Sequence, residues 1–100
     1  MSVETLVGFG SAAEIPGEVE NAKGIDWGVP IDAYLMNAAQ VGSRFAASVY
    51  CDLSGVSADG MTIVTPPVRG MGNAGGFEML QSVCGNDHYV VVTRFDRDEK

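Results

Sequence analysis

Gly70-Met71-Gly72-Asn73-Ala74-Gly75 spells the GxGxxG spacing with which the amides of a turn and of a helix N-terminus cradle a pyrophosphate. The same chemistry needs a strand feeding the turn, a helix leaving it, and an acid about twenty residues further on for a ribose hydroxyl. Asp96 stands near that distance. Pro66 and Pro67, however, occupy the place where the strand should run into its turn, and neither has an N–H to give to a ladder. Lys23 and Lys100 are the only lysines, so no phosphate-binding lysine accompanies the glycines. The segment reads as a glycine-rich loop between two strands and not as a dinucleotide site.

Other chemistry has less material. His88 is the only histidine, so a Ser-His-Asp arrangement would have to be built on it, and Ser82 and Asp87 are neighbours in sequence without any implied geometry. Cys51 and Cys84 lack metal-ligand spacing. Both lie in apolar surroundings, where cysteine acts as a small core residue, and they read as reduced and structural. Neither the two thiols with His88 nor the scattered acids form a recognised metal set. No cofactor, no metal and no enzymatic turnover are expected.

Thirteen acids against six bases give a net charge of -7. Such a surface repels phosphate backbones and anionic lipid, which argues against direct nucleic-acid or membrane binding and favours a protein partner with a basic surface. The charge is uneven: residues 1–28 hold Glu4, Glu14, Glu18, Glu20 and Asp26 against Lys23 alone. Met1 to Gly10 has neither a basic start nor a sustained apolar core, and no run approaches the length of a spanning helix. A cytoplasmic location is expected, as a monomer or small homo-oligomer.

These residues are positioned by one domain. A chain of 100 residues with 46% apolar and 19% charged content supports a single modest core. Residues 1–28 are broken by Pro16 and several glycines and read as an irregular acidic arm, pinned by burial of Trp27. Residues 29–100 form the body. Within it, Ile31, Tyr34, Leu35, Ala38, Val41 and Phe45 follow helical spacing. Phe45 to Leu53 alternates like a strand, Ala58-Asp59-Gly60 signals a tight turn, and Met61 to Thr65 forms a strand stopped by the two prolines. Phe77 to Cys84 is short enough to be helix or strand, and Tyr89 to Thr93 is dense in β-branched residues.

Leu35-Met36-Asn37-Ala38, Val41-Gly42, Val49 to Leu53, Asp59-Gly60 with Thr65-Pro66-Pro67-Val68, and Gln81 to Gly85 before Tyr89-Val90 together resemble small uncharacterised bacterial and phage proteins. These have an Asp-Gly turn, a strand ending in Thr-x-x-Val and a terminal Tyr-Val strand. The resemblance covers about residues 33–93 and implies a mainly β protein: a small twisted barrel or roll of about five strands behind an irregular N-terminal arm. The periodicities give the alternative, an α+β fold with helices near 31–41 and 77–84.

The resulting expectation is a small acidic protein-binding module without catalysis. The phage-like resemblance implies an inhibitor or accessory of a host nucleic-acid-handling machine. Its binding residues are expected on the arm and the glycine loop: Glu14, Glu18, Glu20, Arg69, Met71 and Asn73. The alternative is a small-ligand or anion-binding β domain that uses the Gly70–Gly76 loop.

Overall fold

The computed structural model describes residues 15–95. One six-stranded sheet holds the fold: β1 (Ala33–Val41), β2 (Arg44–Tyr50), β3 (Thr62–Val64), β4 (Val68–Ala74), β5 (Phe77–Ser82) and β6 (His88–Val91), in the order β3-β2-β1-β6-β5-β4. Two antiparallel meanders, β1-β2-β3 and β4-β5-β6, meet where β1 and β6 run parallel, with Ala33 beside Tyr89 and Leu35 beside Val91. The mainly β reading therefore holds. The sheet is a twisted open roll of six strands, not a closed barrel of five.

Because β1 and β6 are central, the segments where they pair, residues 33–35 and 89–91, are buried on both faces and apolar at every position instead of alternating. One face gathers Ala33, Leu35, Ala38, Phe45, Ala47, Val49, Val68, Leu80, Tyr89 and Val91, with Ile63 packed at its side. The other gathers Tyr34, Val90 and Val92 under Val19 and Ala22. Those last two residues lie on α1 (Gly17–Lys23), the one helix among the described residues, which opens after Pro16 at φ -61. Seven residues cannot hold a helix in water unaided, so burial of Val19 and Ala22 against the sheet stabilises it. The described part of the arm is thus partly helical instead of irregular. Trp27 packs on the same cluster while its Nε1 donates to the Ala22 carbonyl at 3.0 Å.

The helical spacing at 31–45 has a simple origin. Asn37, at φ 55, lies in a bulge where the β1–β2 register shifts between Met36 and Ala39. The extra residue turns the period-two set Ala33, Leu35 into Ala33, Leu35, Ala38 on one face, and a step of three imitates a helix. Val41, which the helix would bury, is exposed. Gly42 then supplies the positive φ of a two-residue hairpin into β2. The helix near 77–84 is likewise corrected: Phe77 and Leu80 lie on opposite faces of β5.

The sheet curls because its two ends are tied together. Thr65, fully buried, donates its amide to the Phe45 carbonyl at 2.8 Å and accepts the Phe45 amide on Oγ1 at 3.0 Å. Three residues on, the amide of Val68 donates to the Ser43 carbonyl at 2.7 Å. Pro66 and Pro67, which offer no N–H, therefore sit in a crossover from β3 to β4 that closes the roll at its Phe45 end. The opposite end, where β1 and β6 begin and β2 finishes, stays open.

Candidate functional site

The open end contains a cavity of about 330 Å³ lined by Asp32, Ala33, Val49, Asp52, Ser54, Val56, Ser57, Ile63, Val64, Asp87 and Tyr89. Ala33, Val49, Ile63 and Tyr89 belong to the inner face of the sheet and give it an apolar floor. The aspartates come from three separate places: the entry to β1, the loop after β2, and the turn before β6.

Each place is held by local hydrogen bonds. Asp32 and His88 bond reciprocally across the parallel seam: the Asp32 amide donates to the His88 carbonyl at 2.8 Å, and Asp32 Oδ2 accepts the His88 amide at 2.7 Å. The loop after β2 leaves the strand at Cys51, whose φ is 57 and whose amide donates to Asp59 Oδ1 at 2.8 Å. Asp52 then organises the loop. Its Oδ2 accepts the Ser57 amide at 2.8 Å, and its Oδ1 accepts the Ser54 amide and hydroxyl at 3.1 and 2.9 Å. The Ser57 amide above all, with help from the Ser54 hydroxyl and amide, holds the Asp52 carboxyl below the usual aspartate range against the opposing effect of burial. The turn before β6 is set by fully buried Ser82, whose Oγ accepts the Asp87 amide at 3.0 Å. The Asp87 carboxylate accepts no hydrogen bond among the described residues.

Tyr89 stands at the centre. Only 8% of it is exposed, it lines the cavity, and its hydroxyl has no hydrogen-bond partner among the described residues. Burial, and then the charges of Asp87, Asp32 and Asp52, push its phenol up to about 12. A neutral hydroxyl thus faces a negative field over an apolar floor. Among the described residues no group of three or more His, Cys, Asp or Glu is gathered closely enough to hold a metal ion. The arrangement suits an extended cation better than a point charge.

Outside this mouth, Leu53, Val56, Met61 and Val64 are all more than half exposed on the loop and on β3. These are isolated apolar side chains only if the loop is considered alone. Val56 and Val64 also line the cavity and carry its apolar surface outward.

The residues expected to bind from sequence lie elsewhere. Glu14 is outside the described residues. Glu18 and Glu20 are exposed on α1, on the far face of the sheet from the cavity. Arg69, Met71 and Asn73 are exposed on β4, the outer strand, with Met71 at the register shift between Gly70 and Gly72. Arg69 donates to Gln81 Oε1 at 3.2 Å. The glycine loop is corrected: residues 70–74 are strand, and only Gly75 and Gly76, both at positive φ, form the turn. Amides alternating along a strand do not converge on one anion. Ile25, just after α1, approaches the Gly75 position closely enough that a Cβ there would stand 2.8 Å from its Cδ1, so the arm and this turn do touch. Asn73 lines a second cavity of about 470 Å³ with Glu78, Thr93 and Arg94. Arg94 there lies over the Phe45 ring at 5.1 Å and pairs with Glu78 at 3.6 Å.

Cys84 also departs from expectation. It is exposed and not a core residue, and both cysteines are free. Its sulfur lies 3.3 Å from Ser82 Oγ, and that hydroxyl, together with the Asn86 amide, holds the thiol below its usual range.

The sequence does not mark Asp32, Asp52, Asp87 and Tyr89 as a set, because 57 positions separate the first from the last and they meet only through the β1–β2 pairing and the β1–β6 seam together. The local signal was modest: Asp52-Leu53-Ser54-Gly55 has the form of a turn in which aspartate caps the following amides. Among the described residues no helix is long and apolar enough to cross a membrane. No protein-family model, curated protein or solved structure matches this chain.

Proposed function

We propose that this protein is a small acidic binding module that acts stoichiometrically, without turnover, on a protein partner with a basic surface. The observation that carries this reading is the open end of the roll, where carboxylates from three separate segments surround an apolar cavity whose lining includes the exposed Val56 and Val64, with Leu53 and Met61 exposed nearby in sequence. Apolar contact area ringed by charge is the usual anatomy of a protein-docking surface. The net charge of -7 supports it by steering basic partners inward over a longer range.

Basic surfaces of this kind are presented by proteins that handle nucleic acids, so the proposed partner is a protein of that class, met in the cytoplasm and inhibited or assisted by a monomer or small oligomer of this chain. Arg69, Met71 and Asn73 on β4 are secondary contacts in this reading, Glu18 and Glu20 on the far face act by steering association, and the mouth is the primary contact.

The test is affinity capture from the native cell with the wild-type protein and with a Leu53→Asp, Val56→Asp double variant. The expected outcome is a basic protein retained by the first and lost by the second. A partner retained equally by both, or one that is acidic, contradicts the reading.

A further inference from the structure

Resting on that reading, the cavity can be assigned an occupant. The aspartates alone would not define a site, since Asp52 is occupied with its own loop and Asp32 with the His88 amide. The deciding feature is Tyr89. Tyr89 is nine-tenths buried as a residue and lines the cavity, and its hydroxyl lacks a hydrogen-bond partner among the described residues; a polar group so placed is costly unless something enters to satisfy it. Asp87, on the same wall two residues earlier, has a carboxylate that accepts no hydrogen bond among the described residues.

An anion is repelled here by Asp32, Asp52 and Asp87, and a metal ion has no gathered ligand set among the described residues. An apolar ligand leaves the hydroxyl and the carboxylate unpaired. What satisfies all the walls is a cation on an alkyl stem: the stem against Ala33, Val49 and Ile63, and the N–H donors on Asp87 and the Tyr89 oxygen. Lysine and arginine side chains have this form, with methylenes that bury readily and a head that keeps several donors.

We infer that the open end of the roll seats one lysine or arginine side chain of the basic partner, with its cationic head between Asp87 and the Tyr89 hydroxyl and its methylenes on the Ala33, Val49 and Ile63 floor. Leu53 and Val56 then meet the residues flanking that side chain.

The experiment is a backbone-amide NMR titration of the whole chain with n-butylammonium and, separately, n-butylguanidinium, whose relative affinities distinguish a lysine from an arginine seat. Ethylammonium, with a shorter stem, and n-butanol, without charge, are the controls. Expected are saturable shifts at Ala33, Val49, Asp87 and Tyr89 with at least one butyl cation, affinity at least about fivefold weaker for ethylammonium and for n-butanol, and a loss of about fivefold or more in each of Asp87→Asn and Tyr89→Phe. If Tyr89→Phe loses the native spectrum, Asp87→Asn alone decides, because its side chain is part-exposed and unbonded. Equal binding of n-butanol, non-saturating shifts spread over Glu18 and Glu20, or unchanged affinity in Asp87→Asn overturns the seat. The captured partner separates the two levels: association that still weakens with salt while butyl cations ignore the cavity removes the seat and leaves the module, whereas association indifferent to salt removes the module itself.

Discussion

Asp32 and His88, 56 residues apart, bond to each other twice, amide to carbonyl at 2.8 Å and carboxylate to amide at 2.7 Å. This clamp starts the parallel pairing of β1 with β6, the one seam that joins the two meanders, and it places Asp32, Asp87 and Tyr89 on a common rim.

The clamp can be tested through stability. Asp32→Ala leaves the His88 amide without its carboxylate, and the expected loss is about 1–3 kcal/mol by denaturant unfolding. Asp32→Asn, which keeps an acceptor, should restore much of it. Equal losses in the two variants would show that charge, not the hydrogen bond, matters at this position.

Asp52 makes the loop acid-sensitive. Its carboxyl is held below the usual range by the Ser57 and Ser54 donors, so the folded state favours its charged form. That contribution is fully present above the unfolded aspartate value of about 3.9 and is lost as pH falls through the lower folded value. Amide exchange at Ser54 and Ser57 should therefore rise relative to the rest of the sheet in acid below that range, and Asp52→Asn should remove the pH dependence.

Burial ranks the core. Leu35 is fully buried, whereas Ile63 is part-buried on the outer strand β3. Leu35→Ala is expected to cost about 2–5 kcal/mol, with Ile63→Ala near or below the lower end of that range. Urea midpoints at constant m-value measure both. A larger loss at Ile63 would mean that β3 is more enclosed than its exposure indicates.

Much of this fold was legible. The β-branched density of Tyr89 to Thr93, the Asp59-Gly60 turn and the stop at Pro66-Pro67 were local chemistry, and all three act in the structure as strand, turn and crossover. What local chemistry could not give was long-range. The bulge at Asn37 exists because β1 must also meet Thr93, whose Oγ1 accepts the Asn37 amide at 2.8 Å, and that contact disguised a strand as a helix. The glycines at 70–76 signal a loop because flexible backbone carries no trace of its partner strand; pairing with β5 makes Gly70 and Gly72 part of β4 and leaves Gly75 and Gly76 in the turn. The candidate site was hidden for the same reason, since its acids share a rim only after β6 returns beside β1.

Cys84 should be the reactive thiol. It is exposed and its thiol is held below the ordinary range by Ser82 and Asn86, while Cys51 is part-buried. Alkylation by iodoacetamide near neutral pH, followed by peptide mass mapping, should modify Cys84 first. Ser82→Ala should slow it by removing the first of those hydrogen bonds. Faster labelling of Cys51 would contradict the geometry of the turn.

The central claim is that the open end of the roll docks a basic partner by combining charge with apolar contact. Its most direct measurement is the set of association and dissociation rates of the captured partner across a range of salt, for the wild type, for Glu18→Lys with Glu20→Lys, and for Val56→Asp. Exposed charges away from the contact act on encounter, so the double charge reversal is expected to slow association and flatten its salt dependence while leaving dissociation unchanged. Val56→Asp, placed in the mouth, is expected to speed dissociation about tenfold or more. Dissociation unchanged by Val56→Asp, together with association indifferent to salt, would contradict the account.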